Sequence, residues 1–172
     1  KFIVFQYQIW LITKDFDEKI MGVKILPINK YEDTRGSLSV LASYGREDAP
    51  EMSKIEEVYF AEIPKRGVVR AGHKHDKTEE FFIILEGSGK FVLVDDRKNS
   101  PTYRKIFSLI LNAKDKSALF IPTGVYYASI SIEDNTKCLA ISSKAYHKED
   151  TDTYKVDLAI FENELKLIWS TN

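Results

Sequence analysis

The stretch GVVRAGHKHDKTEEFFIILEG, residues 67–87, decides the fold. It holds two histidines, His73 and His75, and an apolar run that begins at Glu80. Side chains alternate along a β-strand, so both imidazoles are predicted to point to the same face. If that face lines the interior of a barrel, a hairpin with the next strand can bring the Glu80 carboxylate close to both rings. Two imidazoles and one carboxylate are also the donor set of a facial metal triad.

Short apolar or alternating runs, separated by turn residues, extend over most of the chain. Strands are predicted at residues 23–26, 38–41, 55–62, 68–75, 80–86, 90–94, 103–110, 118–121, 126–132 and 137–142. Gly87-Ser88-Gly89 and the polar segment 95–101 predict turns that close two hairpins. The pattern is typical of an all-β fold, an antiparallel barrel or sandwich.

The chain of 172 residues shows no internal repeat and no linker-like shift in composition. We therefore expect one domain over residues 22–172, preceded by an N-terminal extension or extra strand over residues 1–21. Near the end of the chain the apolar period changes to that of a helix. One C-terminal helix is predicted there, packed against the barrel through Leu158, Phe161, Leu165 and Ile168.

Charge and cysteine content exclude several classes of partner. Lys and Arg number 25 against 26 Asp and Glu, so no basic surplus is present for binding nucleic acid. The apolar run Phe2–Ile12 is too short to span a bilayer, and no membrane partner is expected. The single cysteine, Cys138, cannot form an internal disulfide, which favours a reducing cytoplasm.

The spacing of the residues around the histidine pair resembles the first signature motif of the cupin superfamily. The matching positions are Gly67, His73, His75, Glu80 and Gly87. Cupins are small β-barrels or jelly rolls, so the resemblance implies that fold for this chain.

The second cupin motif, Pro-x-Gly-x-x-His, has its counterpart in PTGVYY, residues 122–127. Tyr127 takes the place of the histidine ligand, and a neutral phenol is a poor ligand for divalent ions. No metal or other cofactor is therefore expected. If the protein were metal-dependent, its ligands would be His73, His75 and Glu80.

Most of residues 22–168 resembles two groups of cupins that act on nucleotide-linked sugars. The segment YEDTRGSL, residues 31–38, resembles an Asp-x-Arg-Gly motif that both groups share, and RAGHKH, residues 70–75, resembles the His-x-His of one of them. The groups are the dTDP-4-dehydrorhamnose 3,5-epimerases and the dTDP-4-oxo-6-deoxyglucose 3,4-ketoisomerases, the WxcM-like group. The His-x-His motif favours the ketoisomerases. These commonly have glutamine in place of Glu80 and histidine in place of Tyr127, and this chain departs from them there.

The ketoisomerase resemblance implies an isomerase that converts a dTDP-linked 4-keto-6-deoxyhexose into its 3-keto isomer through an enediol. It ranks His73 first as the base, with His75 as a second proton carrier or as the group that orients it. Tyr127 would reprotonate C4 or bind the keto oxygen. Histidine suits this role because its unperturbed pKa, about 6.5, lies near neutrality. The resemblance also implies a homodimer, and the apolar N-terminal segment is a candidate for a strand exchanged between its two chains.

Further side chains are predicted to bind the nucleotide sugar. Arg35 and Arg70 are predicted to hold the diphosphate, because guanidinium binds phosphate through paired hydrogen bonds. Arg70 falls on the strand face opposite to His73 unless a β-bulge intervenes. Glu80 is expected beside the histidines at the substrate, and Tyr59 and Tyr126 are predicted to stack on the nucleobase.

Three alternatives stay open at this point. They are a 3,5-epimerase of the same substrate class, a metal-dependent cupin, and a sugar-binding cupin without catalysis. Deuterium at C5 of recovered sugar would identify the epimerase, and metal analysis of the purified protein the metal-dependent cupin. Binding without solvent proton exchange would identify the binding protein.

Overall fold

The computed structural model describes residues 19–43, 45, 51–52, 54–149 and 151–155. Its strands are β1 Lys24–Pro27, β2 Lys30–Asp33, β3 Gly36–Ser39, β4 Glu57–Ile63, β5 Val69–His75, β6 Glu80–Glu86, β7 Ser88–Asp95, β8 Ile106–Asn112, β9 Ser117–Ile121, β10 Val125–Ser131, β11 Thr136–Ser142 and β12 Thr153–Lys155. Within this part of the chain the one helical element is a 3-10 turn, Ala113–Asp115, and no helix there could cross a membrane. The predicted C-terminal helix and most of the N-terminal extension lie outside the described residues.

The strands form two five-stranded antiparallel sheets and one hairpin. One sheet has the order β1-β9-β6-β11-β4, the other β12-β5-β10-β7-β8, and β2 pairs with β3 alone. Apolar side chains of both sheets, including Phe82, Phe91, Leu93 and Leu119, form one buried cluster. The predicted all-β antiparallel architecture is confirmed.

The turn at Gly87 joins the two sheets. Gly87 has φ +73°, as predicted for a turn, but β6 and β7 lie in different sheets and do not pair. The predicted hairpin at this point is therefore wrong, whereas the second one, between β7 and β8, is confirmed. A Cβ atom at Gly87 would lie 2.8 Å from Thr136 Oγ1, so both the backbone angle and the space favour glycine.

A β-bulge interrupts β5 just before the histidines. His73 is paired with Tyr127 and Ala71 with Ala128, so that Gly72 is the extra residue. Ala71 and Gly72 both have positive φ, 65° and 81°. Because the bulge shifts the alternation by one residue, Arg70, paired with Ser129, shares the inner face with His73. The β-bulge that the sequence analysis required for Arg70 to share a face with His73 is therefore present.

The short strands β2 and β12 escape prediction from the sequence. β12 pairs with the edge of β5, with Thr153 opposite His75 and Lys155 opposite His73. This pairing brings a distant part of the chain against the histidine pair.

Candidate active site

A cleft of about 360 Å³ lies where β4, β5, β6 and β11 meet. Tyr59, His73, His75 and Glu80 all line it. The two histidines come from alternate positions of β5, and their ring centroids are 4.9 Å apart. The structure thus brings together the imidazole pair and the carboxylate, as the sequence predicts. They approach across the two sheets rather than within a hairpin.

The Glu80 carboxylate is the centre of a buried hydrogen-bond network, with 3% of the residue exposed. Tyr59 Oη and Ser142 Oγ donate to its Oε1 atom over 3.0 and 3.1 Å. Tyr127 Oη donates to Oε2, and His75 Nε2 lies 3.5 Å from the same oxygen. Burial favours the neutral acid, but His75 and the two phenols outweigh it and lower the pKa of Glu80. Glu80 is therefore an anion that holds other side chains in place.

The two histidines differ in their proton affinity. Burial, together with the neighbouring His75, lowers the pKa of His73 in spite of the Glu80 charge. Burial also opposes ionisation of His75, but Glu80 and Asp152 outweigh it and raise the pKa of His75. His73 is thus the neutral ring of the pair, and His75 is the ring that is protonated more readily.

Asp152, just before β12, is a residue that the sequence analysis missed. Its carboxylate accepts hydrogen bonds from the backbone N–H of Asp76 and Lys77 and from the Thr78 hydroxyl. Its backbone carbonyl lies 3.0 Å from His75 Nδ1. A carbonyl oxygen only accepts, so His75 Nδ1 carries a proton and its ring is oriented by this contact. The sequence around Asp152 does not predict this contact, because the contact depends on the pairing of β12 with the distant strand β5.

The three tyrosines predicted for the site occupy different environments. Tyr127 is 2% exposed and lies behind His73, whose Nε2 atom is 2.8 Å from the phenol oxygen. Tyr59 is 40% exposed, lines the cleft and turns its hydroxyl toward Glu80. Tyr126 lies on the other face of its sheet, where it packs against an apolar cluster and the Lys74 ammonium. Stacking of Tyr126 on a nucleobase in this cleft is therefore wrong, whereas Tyr146 at the rim does line the cleft.

The two predicted phosphate ligands lie outside the cleft. Arg70 lies on β5, three residues before His73 and on the same face, and its side chain is exposed. Arg35 follows β2, at the tip of the β2–β3 hairpin, where its side chain is 87% exposed and pairs with Asp33 over 2.5 Å. Neither arginine is among the residues that line the cleft.

The metal triad that the sequence allows has its donors close together but already engaged. Ligand atoms of His73, His75 and Glu80 all lie within 4.8 Å of one another. Nε2 of His73 contacts the Tyr127 hydroxyl, and both oxygens of Glu80 accept hydrogen bonds. A divalent ion bound through Nε2 of His73 and Oε2 of Glu80 would have to displace Tyr127 from both neighbours. The arrangement fits a network for protons better than it fits a metal.

Two antiparallel sheets arranged as a jelly roll, with paired histidines and a buried glutamate in one cleft, are typical of a cupin. A sequence model described as dTDP-4-dehydrorhamnose 3,5-epimerase matches residues 17–171. The chain therefore belongs to this family of dTDP-sugar epimerases and isomerases.

Relatives of the chain include both kinds of enzyme. A probable low-salt glycan biosynthesis epimerase, Agl13 of Haloferax volcanii, is 24% identical over 80% of this chain and 87% of its own length. The crystal structure of a 3,4-ketoisomerase from Helicobacter canadensis is similar with a TM-score of 0.63 and 26% identity, over 87% of this chain and 98% of that one. The dTDP-4-dehydrorhamnose 3,5-epimerase of Bacillus anthracis, with TDP and PPi bound, gives a TM-score of 0.65 at 19% identity over 77% of each chain.

Proposed function

We propose that the protein is an isomerase that converts a dTDP-linked 4-keto-6-deoxyhexose into its 3-keto isomer. The observation that carries this proposal is the pair His73 and His75, which line one cleft with pKa values shifted in opposite directions. Such a pair supplies a neutral base and a proton donor at the same pH, which is what an isomerisation through an enediol needs. The His-x-His motif and the similarity to a 3,4-ketoisomerase support this reaction over epimerisation.

The first half of the reaction breaks the C3–H bond. His73 takes the proton, and the electron pair of that bond forms the C3–C4 double bond. The keto oxygen at C4 becomes the enediolate oxygen. Protonated His75 stabilises it through Nε2, whose contact with Glu80 is a long 3.5 Å, while Nδ1 stays on the Asp152 carbonyl.

The second half returns a proton to the sugar. As the C3 carbonyl forms, the proton of the C3 hydroxyl passes to the C4 oxygen, directly or by way of His75, and C4 takes a proton from His73. Every proton removed is returned to the sugar or exchanged with water, so the reaction needs no oxidant or reductant. Tyr59 borders the cleft and would contact the sugar oxygens.

We further propose that Arg70 and Arg35 bind the diphosphate, Arg35 acting from a second copy of the chain. The β2–β3 hairpin exposes Tyr31 by 43% and Leu38 by 61%, and covering these side chains in a homodimer would remove apolar surface from water. In this arrangement the hairpin would deliver Arg35 to the partner's cleft. The nucleotide in the Bacillus anthracis relative supports a diphosphate ligand.

A mixed dimer tests the delivery of Arg35. Arg35→Ala and His73→Asn chains, each inactive alone, are expected to recover part of the activity when mixed, because one cleft of the dimer then has both groups. No recovery, in a sample that analytical ultracentrifugation shows to be dimeric, would contradict action across the dimer.

The reaction itself is tested by incubation with dTDP-4-keto-6-deoxyglucose in heavy water, followed by NMR. Deuterium at C4 together with a 3-keto product is the expected result. Deuterium at C3 and C5, without a 3-keto product, would replace the isomerase with a 3,5-epimerase, the reaction in the family's description. An unchanged sugar, with dTDP bound, would refute catalysis on this substrate.

His73→Asn gives the matched control for the base. The asparagine is expected to abolish deuterium incorporation while the dissociation constant of dTDP stays within about threefold, since the ring acts on the sugar and not on the nucleotide. Equal losses of exchange and of affinity would contradict the role of His73 as base.

A further inference from the structure

We propose that Tyr127 is a positioning residue that holds His73 in the tautomer protonated at Nε2, so that Nδ1 is the atom that receives the substrate proton. The catalytic half of this inference rests on the proposed function. The tautomer itself does not, because it follows from the hydrogen bonds of the free protein.

The first step is the count of protons on Tyr127. A phenol carries one proton, and Tyr127 donates it to Glu80 Oε2. The contact of 2.8 Å between the phenol oxygen and His73 Nε2 then needs a proton from the ring. A neutral imidazole with its proton on Nε2 has its lone pair on Nδ1.

The second step is the direction of the bond between Tyr127 and Glu80. Oε1 of Glu80 already accepts from Tyr59 and Ser142, and Oε2 also faces His75 Nε2. The carboxylate is thus surrounded by donors on both oxygens and acts as an acceptor only. In the reverse arrangement a protonated Glu80 would donate to Tyr127, at the cost of its contact with His75.

The third step is packing. The Tyr127 ring lies edge-on to His73, with centroids 4.9 Å apart, and tilted against Phe82 at 5.1 Å. Tyr127 is 2% exposed and is not among the residues that line the cleft. His73 does line it. Tyr127 can therefore act on the sugar only through His73, which differs from both direct roles that the sequence predicts, proton transfer to C4 and a hydrogen bond to the keto oxygen.

The tautomer is measured directly by nitrogen NMR of the histidine side chains. The chain has 3 histidines, so three pairs of ring signals are expected, and His147→Gln removes one pair for assignment. In the neutral state His73 is expected to show a pyridine-like shift at Nδ1 and a pyrrole-like shift at Nε2. The opposite pattern would overturn the inference.

Tyr127→Phe provides the perturbation, since it removes the phenol oxygen and keeps the ring that packs on His73. We expect the two nitrogen shifts of His73 to move toward each other as both tautomers become populated. Ser142→Ala is the matched control, because it removes another donor to Glu80 without touching His73, and it is expected to leave the His73 pattern in place. An unchanged His73 pattern in Tyr127→Phe would overturn the positioning role.

The rate of deuterium incorporation supplies the second readout. An enforced wrong tautomer can slow an enzyme by about 10⁴-fold, and loss of the constraint alone should cost about 10- to 1,000-fold. The dTDP dissociation constant of Tyr127→Phe is expected to stay within about twofold of wild type. A matching loss of affinity would overturn a role confined to positioning. A wild-type protein with the expected tautomer and no exchange would refute the proposed function and support the tautomer assignment alone.

Discussion

Replacement of Glu80 by methionine should destabilise the fold by about 3–5 kcal/mol, the range found when one partner of a buried charged group is removed. Methionine keeps the length of the side chain but offers no acceptor oxygen. Four donors point at this carboxylate, from Tyr59, Ser142, Tyr127 and His75. The loss in the free energy of unfolding depends on whether each of these donors finds another acceptor after the substitution.

Tyr59 is 40% exposed and His75 lines the cleft, so both can turn their donors to water and their loss is small. Tyr127 and Ser142, 2% and 3% exposed, keep their donors inside, and each hydrogen bond to a charged group contributes about 1.5–3 kcal/mol. Two such bonds give about 3–6 kcal/mol, in agreement with the range above. Glu80→Gln keeps one acceptor oxygen and should cost less, about 1–2 kcal/mol.

Urea unfolding followed by far-UV circular dichroism at pH 7 measures these differences. In a chain of this size 1 kcal/mol corresponds to about 2–4 °C, so Glu80→Met should melt about 6–20 °C below wild type. A Glu80→Met protein as stable as wild type, with an unchanged denaturant slope, would refute the reasoning. In that case the free-energy cost of desolvating the carboxylate would equal the stabilisation that its hydrogen bonds provide.

Three other outcomes are expected. Gly87→Ala should lower the free energy of unfolding by about 2–3 kcal/mol, because φ +73° and the contact with Thr136 both oppose a Cβ; a change below about 0.5 kcal/mol would contradict this. Burial favours the neutral form of Asp95, but hydrogen bonds from Arg97, Ser100 and Thr102 outweigh it and lower its pKa. The ionised Asp95 therefore stabilises the fold fully above the pKa of the unfolded chain, about 3.9, and this stabilisation is lost as the pH falls. In urea unfolding, the difference in the free energy of unfolding between wild type and Asp95→Asn should shrink below about pH 4. Dialysis against EDTA should leave deuterium incorporation unchanged, and activity that is lost and then restored by a divalent ion would contradict a metal-free site.

The period of apolar residues predicts most of the strands because alternation is a local property. The membership of a strand in one sheet or the other is not local. Gly87 has the turn geometry that its sequence indicates, yet it carries the chain from one sheet to the other instead of closing a hairpin. The strands β2 and β12 are short and have few apolar residues, so no alternation marks them.

In the site, too, the features that depend on local sequence could be predicted and those that depend on distant strand pairing could not. The shared face of His73 and His75 follows from alternation, and Gly72 allows the bulge that the position of Arg70 requires. The contact of Asp152 with His75 joins residues 77 positions apart, and only the pairing of β12 with β5 creates it. The exposed position of Arg35 is likewise a property of how the β2–β3 hairpin projects, which a motif does not specify.

Two departures from the ketoisomerase pattern, at Glu80 and Tyr127, depend on each other. An imidazole at position 127 could donate or accept a hydrogen bond, and a neutral amide at position 80 could act as its acceptor or its donor. A phenol whose pKa is raised by burial and by the Glu80 charge keeps its proton and must find an acceptor. The glutamate supplies that acceptor, and its negative charge at the same time favours the protonated form of His75. The buried Glu80 carboxylate thus accepts the Tyr127 proton and also faces His75, so the two departures together hold both histidines in the arrangement on which the proposed proton transfer depends.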